Sequence, residues 1–237
     1  MIIPAFNEER LLPYTLRHVE SASAACRNRG WQTETIVCDN NSTDATARIA
    51  QASGATVVFE PINRIGGARN RGAAAASGNW LIFVDADCKP SRELFETVAA
   101  EIASGDCLAG GSTVVLEGEF PWANRFTGIW NWLSQRFTLL AGSFIFCEAA
   151  AFREVGGFSN ELFAGEELEL SKKLKALAAE RKKRVVILNR YPLVTSPRKI
   201  QLYTLRQHLW FMTRAALLPG ATLRNREACS IWYDGKR

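Results

Sequence analysis

The sequence predicts an α/β protein, a single domain with a mostly parallel, Rossmann-like central sheet flanked by helices. Three observations carry that expectation. Apolar runs alternate with segments of helical spacing, in the order βαβαβαβαβ over the first half of the chain. This is the pattern of a doubly wound sheet with right-handed crossovers. Residues 80–84, Trp-Leu-Ile-Phe-Val, are apolar without alternation, as in a strand buried on both faces. No linker or internal repeat interrupts the 237 residues, a length that can bury a substantial core.

Ile2 and Ile3 form a strand stub that Pro4 is expected to stop. The stub resembles the end of a strand whose first half is missing, as in a truncated chain or one with a misassigned start. Asn7 is placed as the N-cap of the first helix, with Glu8 and Glu9 in its first turn against the helix dipole. Leu11, Leu12, Leu16 and Val19 give the helical spacing, and Gly30 ends it. A strand over 34–38 leads to Asp39 and the turn Asn40-Asn41-Ser42-Thr43-Asp44, where Ser42 or Thr43 caps a second helix. A third strand covers 55–59. Gly66 and Gly67 then open a helix of small residues with Arg64, Arg69 and Arg71 on or beside its first turns. Free N–H groups, the helix dipole and fixed positive charge suit an anion there. The alternative is a helix packed closely through its alanines, with solvated arginines. Strand 80–84 runs into Asp85-Ala86-Asp87. Pro90 and Ser91 start a helix carrying Leu94, Phe95, Val98 and Ile102, and a strand follows over 108–116.

The second half changes character. Residues 120–140 are dense in aromatic residues at helical spacing, among them Trp122, Phe126, Trp130 and Trp132. Core packing is the expected use; a membrane-surface or acceptor-binding face is the lesser alternative. A short strand is read at 142–147, a short helix at 148–155, and a longer helix from Gly165 through Leu177 that opens on Glu166, Glu167 and Glu169. Acids favour a helix's first turn without any catalytic role. A last strand covers 184–188, a loop 195–199 and a basic, apolar helix 202–217, with no element assigned after Pro219.

Composition narrows the classes. A net charge of +5 and a pI near 9.0 favour anionic ligands or an anionic surface. They do not by themselves indicate nucleic acid. The basic residues are scattered apart from Arg181-Lys182-Lys183-Arg184, read as a solvated helix end. Six cysteines with no Cys-x-x-Cys pair indicate reduced, buried thiols of a cytoplasmic protein. No signal peptide is visible, and no uninterrupted apolar run has the length of a membrane span.

Asp85 and Asp87 are delivered to the sheet's carboxyl edge, where open α/β sheets bind ligands. Two acids so close repel unless a cation neutralises them. Oxygen ligands suit Mg2+ or Mn2+, which would in turn hold a diphosphate. Asp is also common in turns, so Asp-x-Asp alone does not decide the matter.

Six segments in order decide more: Ile-Ile-Pro-Ala-Phe-Asn-Glu-Glu at 2–9, Asp-Asn-Asn-Ser-Thr-Asp at 39–44, Gly-Gly-Ala-Arg-Asn-Arg-Gly at 66–72, Asp-Ala-Asp at 85–87, Phe-Arg-Glu-Val-Gly-Gly-Phe at 152–158 and Gly-Glu-Glu-Leu-Glu-Leu at 165–170. Together they resemble the family 2 glycosyltransferases, which have the GT-A fold, over residues 2 to about 190. The resemblance implies a nucleotide-sugar donor, UDP- or GDP-linked, and a glycan, lipid or small-molecule acceptor. It divides the single domain into a nucleotide-sugar half (1–115), an acceptor half (116–200) and a C-terminal helix and tail (201–237). By the same resemblance Pro4, Ala5, Asn7 and Glu8 line the nucleotide pocket, and Asp39 contacts base or ribose. Arg64 and Arg69 lie near the diphosphate, Asp85 faces ribose and sugar, and Asp87 binds Mg2+ or Mn2+. Glu167 stands where the family has the Asp of a Glu-Asp pair, the general base of inverting members.

Three departures qualify the match. Asp39-Asn40 replaces an Asp-Asp pair, Glu167 is one methylene longer than Asp, and the Arg- or Gln-x-x-Arg-Trp motif of processive synthases is absent, Arg206-Gln207-His208-Leu209-Trp210 being only a loose echo. His208 is a conceivable third metal ligand but is read as a packed residue. The rival readings are a nucleotidyltransferase and a GT-A-fold glycan- or lipid-binding protein without turnover. Nucleic acid is not expected as a partner; peripheral membrane contact is left open.

Overall fold

The computed structural model describes residues 1–198, 202 and 205–229. The strands are β1 (Ile2–Ala5), β2 (Ile36–Asp39), β3 (Thr56–Phe59), β4 (Trp80–Val84), β5 (Cys88–Lys89), β6 (Cys107–Leu116), β7 (Phe144–Glu148) and β8 (Arg184–Thr195). The helices are α1 (Leu12–Arg27), α2 (Thr46–Ala52), α3 (Ile65–Ala75), α4 (Arg92–Ser104), α5 (Pro121–Phe137), α6 (Ala149–Glu154), α7 (Glu166–Glu180), α8 (Leu205–Leu217) and α9 (Pro219–Leu223). The tail beyond Cys229, Lys199 and most of the first turn expected for the 202–217 helix lie outside the described residues.

One sheet runs in the order β3-β2-β1-β4-β7-β6-β8-β5. β1 to β4 are mutually parallel. β7 lies antiparallel between β4 and β6, pairing Ile82 with Phe146 and Gly110 with Phe146. Alternate residues of β4 enter opposite cores, as its uninterrupted apolar run predicts. Ile82 and Val84 join α1 and α4 through Leu12, Leu16, Leu94 and Phe95. Leu81 and Phe83 join α6 and α7 through Phe152, Leu170 and Leu174. Gly72 brings α3 directly onto β1, where a Cβ would come 2.5 Å from Ile2 Cγ2.

Several local expectations are corrected. Pro4 does not stop β1: it lies within the strand, opposite Cys38. Met1 O accepts from Ile36 N and Ala5 O from Asn40 N, just past β2, so the edge of Pro4 that lacks an N–H points away from β2. Asn7 does not cap α1, which starts five residues later. Asn7 instead takes φ 53°, its amide donates to Ser42 Oγ (3.0 Å) and its Oδ1 accepts from Thr43 N (2.8 Å). Glu8 N donates to Thr46 Oγ1 and Glu9 N to Asp44 Oδ2. The loops after β1 and β2 thus satisfy each other's backbone. Asp44, not Ser42 or Thr43, serves the start of α2, accepting from Thr46 N at 2.9 Å. The last strand runs seven residues beyond Leu188, to Thr195, and its end pairs with the unforeseen β5. The basic run at 181–184 is not simply solvated: Arg181 pairs with Glu154, Lys183 with Glu148, and Arg184 with Asp106 and Glu101. All six cysteines are free and buried.

The largest correction concerns α5. Its aromatic stripe does not pack in the core. Ala123 and Ser134 are its buried residues, and Asn131 fixes it by exchanging hydrogen bonds with the backbone of Val114 (3.0 and 2.8 Å). Trp132 is 61% and Ile129 52% exposed. Among the described residues, no helix is long and apolar enough to cross a membrane.

Candidate active site

The sheet's carboxyl edge gathers the ends of β1, β2 and β4 with the first turns of α3 and α7 and the segment after β8. Pro4 and Ala5 are buried in the wall of this edge. Asp39 ends β2, is buried, and accepts from Ser42 N at 3.0 Å, which tightens the turn into α2. Arg64 precedes α3. Its backbone N–H donates to Asn40 Oδ1, its guanidinium lies 4.4 Å from the Phe163 ring centroid, and its buried Nε has no hydrogen-bond partner among the described residues.

Arg69 is the centre of one charge cluster. It is 2% exposed. Nη1 donates to Glu166 Oε1 (2.7 Å), and Nη2 donates to Asp85 Oδ1 and Gly142 O (both 2.8 Å). Glycine at 142 makes room, since a Cβ there would be 3.2 Å from Nη2. Burial works against the charge of Arg69, but Asp85 and then Glu166 outweigh it and keep the group firmly protonated. Its positive charge is thus compensated by protein carboxylates.

A second cluster was not visible in the sequence. Arg198, just after β8, donates to both oxygens of Glu8 at 2.7 Å, and its Nη2 lies 3.6 Å from Asp87 Oδ2. Nothing in the local pattern of Thr195-Ser196-Pro197-Arg198 distinguishes this arginine; only the late strand β8 carries it to the site.

Glu166 and Glu167 are adjacent in sequence but differently placed. Glu166 is buried on Arg69, whereas Glu167 keeps partial exposure. The Glu167 carboxyl is crowded by protein. Desolvation first, and then the neighbouring Glu166, push its pKa well above the ordinary carboxylate range. The site therefore holds one carboxyl able to take a proton near neutrality, beside another locked in an ion pair.

The donor set fits a divalent cation. Glu8, Asp85, Asp87, Glu166 and Glu167 face two guanidiniums, Arg69 and Arg198, which leaves an excess of carboxylate. Among the described residues, no group of three or more His, Cys, Asp or Glu could hold a metal by itself. Mg2+ and Mn2+ are commonly held by one or two carboxylates, with phosphate oxygens and water completing the shell. The His208 side chain lies outside the described residues.

A parallel β1–β4 platform, an antiparallel strand inserted beside β4 and Asp-x-Asp at the carboxyl edge define a GT-A fold. Residues 1–155 match the model of Glycosyl transferase family 2, and the chain belongs to that family. It is 32% identical to an uncharacterized glycosyltransferase of Mycobacterium tuberculosis, over 56% of this chain and 57% of that one. It is also 32% identical to the undecaprenyl-phosphate 4-deoxy-4-formamido-L-arabinose transferase of Klebsiella pneumoniae, over 46% of this chain and 35% of that one. The chain spans about half the length, or less, of these relatives. Glucosyl-3-phosphoglycerate synthase from Mycobacterium tuberculosis, solved with Mn2+, UDP-glucose and phosphoglyceric acid, superposes with a TM-score of 0.62 at 19% identity, covering 97% of this chain and 78% of that one.

Proposed function

We propose that the chain transfers a sugar from a UDP- or GDP-linked donor to an acceptor hydroxyl, with inversion and with Glu167 as general base. The observation that carries this reading is the division of labour at the start of α7. Arg69 immobilises Glu166, and the adjacent Glu167 stays accessible with a raised proton affinity. A general base works best with a pKa near the operating pH. In the step, the acceptor oxygen attacks the anomeric carbon, its proton passes to Glu167, and the bond to the diphosphate breaks on the opposite face. The nucleoside diphosphate leaves with the electron pair.

The loops after β1 and β2, through Asn7, Glu8 and Asp39, frame the nucleoside. Asp87 would hold Mg2+ or Mn2+ together with the donor's phosphates, and the ion bound there would offset charge on the leaving group. Arg64 stands beside the same place with a buried Nε still to be satisfied. Arg69 acts at one remove, orienting Asp85 toward the donor's ribose and sugar while holding Glu166. The name of the Klebsiella relative adds undecaprenyl phosphate, which would attack through a phosphate oxygen, to the hydroxyl acceptors to assay.

The test is calorimetric titration with UDP and GDP, each with and without Mn2+, on the wild type and Asp87→Ala, followed by transfer assays on Glu167→Gln. Metal-dependent binding of one nucleotide, lost in Asp87→Ala, supports the donor class. A folded protein that binds neither nucleotide ends that reading. Normal transfer by Glu167→Gln would remove Glu167 from the mechanism.

A further inference from the structure

The exposed face of α5 has the composition of a surface made for an anionic bilayer. The helix is turned the opposite way from an ordinary amphipathic helix. Its small and polar side, Ala123, Ser134 and Asn131, packs on the body of the protein. Its large apolar side faces out: Trp132 is 61% exposed, Ile129 52%, Phe137 51% and Phe126 39%. At 3.6 residues per turn these four fall on one broad arc, and Arg125 and Arg136, both exposed, lie on the same arc. A contiguous outward apolar face of this kind marks an interaction surface.

Charge identifies what covers it. The sequence has no Asp or Glu from Phe120 to Cys147. The nearest preceding acids are Glu119 and Glu117, and Glu117 is held by Lys89. Lys175 adds a cation at the far end, donating to Phe137 O. A second copy of the chain is a poor occupant, because a two-fold contact sets one patch against itself and would bring the arginines of one copy against the arginines of the other. Aromatic side chains interleaved with arginines instead match a helix lying in the plane of a lipid interface, rings at headgroup depth and guanidiniums on anionic headgroups. α8 repeats the pattern independently, with Trp210 68% and Leu217 74% exposed, Arg206 and Arg214 exposed, and no acid in the helix.

We infer that α5 docks the protein on an anionic lipid bilayer through Phe126, Ile129, Trp132 and Phe137, with Arg125 and Arg136 on the headgroups. This is independent of the transfer reading, since it requires neither nucleotide nor metal. The residues that follow the helix run straight to the site, where Gly142 O meets Arg69 and Ser143 O accepts from Asp85 N. The bilayer would therefore lie close to the sheet's carboxyl edge along the chain.

The test is co-sedimentation of the full chain with phosphatidylcholine vesicles, with and without phosphatidylglycerol, at low and high salt. The wild type should pellet with the mixed vesicles and be released by salt. Ile129→Ser with Trp132→Ser should weaken binding by about tenfold or more, from the apolar surface removed. Arg125→Gln with Arg136→Gln should weaken binding to the mixed vesicles by roughly fivefold per arginine, with binding to neutral vesicles unchanged. Unchanged circular dichroism and melting temperature establish that the variants are folded. The inference is overturned if the wild type ignores both vesicles, or if both double variants pellet as the wild type does. It is equally overturned if only Trp210→Ser removes binding, or if sedimentation velocity shows a dimer that Trp132→Ser dissociates while vesicles go unbound.

Discussion

Arg198 reaches back 190 positions to donate one hydrogen bond to each carboxylate oxygen of Glu8, both at 2.7 Å. The pair fastens the segment leaving β8 to the loop leaving β1 and holds a guanidinium 3.6 Å from Asp87. Glu8 is 5% exposed, so removing Arg198 takes two charge-assisted hydrogen bonds from a buried carboxylate. Arg198→Gln should therefore cost on the order of 3 kcal/mol in urea denaturation. Adding Glu8→Gln should recover part of that loss, a coupling that a double-mutant cycle reads directly. A strictly additive cycle would mean that the contact contributes nothing.

Arg69 lies deeper and serves two carboxylates. Arg69→Met should destabilise by about 3–5 kcal/mol, or roughly 6–20 °C in melting temperature for a chain of this size. Arg69→Lys should rescue little, because a single ammonium cannot reproduce the forked contacts to Asp85, Glu166 and Gly142. A melting temperature within a degree or two of wild type for Arg69→Met would contradict the buried cluster.

Glu167 carries a pH signature. Burial, reinforced by Glu166, raises its pKa in the folded state, so between the unfolded value of about 4.3 and the raised folded value the native protein binds the extra proton. The contribution of this group to stability thus falls as pH rises through that window, and Glu167→Gln should flatten the fall. Transfer should follow the opposite course, rising with pH beyond the point where an ordinary carboxylate is already ionised. A rate that plateaus by pH 5 would show that some other group accepts the proton.

Two glycines give opposite outcomes for one substitution. A Cβ on Gly110 would fall 2.4 Å from Phe146 Cζ and 2.8 Å from Val186 Cγ2, so Gly110→Ala should cost about 1–3 kcal/mol. Gly128, in α5, has nothing among the described residues within 4 Å of its Cβ position, and Gly128→Ala should stabilise by about 0.4–1 kcal/mol. Thermal melts of the two variants check both signs.

What the sequence shows and what it hides follow from the range of the forces involved. β4, its Asp-x-Asp end and the acidic start of α7 were legible because apolar runs and first-turn acids are local signals. Ser91 was legible for the same reason, and its side chain accepts from Leu94 N at the start of α4. Asn7 misled because a residue suited to an N-cap is equally suited to a left-handed turn, and its partners, Ser42 and Thr43, lie 35 and 36 residues away. α5 misled because periodicity reveals that a helix has two faces but not which one the body of the protein receives. Arg198 was hidden altogether, since its partner is set by the course of β8.

The placement of β7 also bears on how the chain is made. β4 is complete at residue 84, yet one of its edges is closed only by 144–148. At a synthesis rate of about 5–20 residues per second, that edge emerges from the ribosome roughly 3–12 seconds before its partner. For that interval a wholly apolar strand is open to any other strand that finds it. β6, made in between, is not the folded protein's partner for this edge: among the described residues it pairs with β7 and β8. Fragments that end before residue 144 should therefore aggregate, and the nascent chain is most exposed to chaperones between β4 and β7.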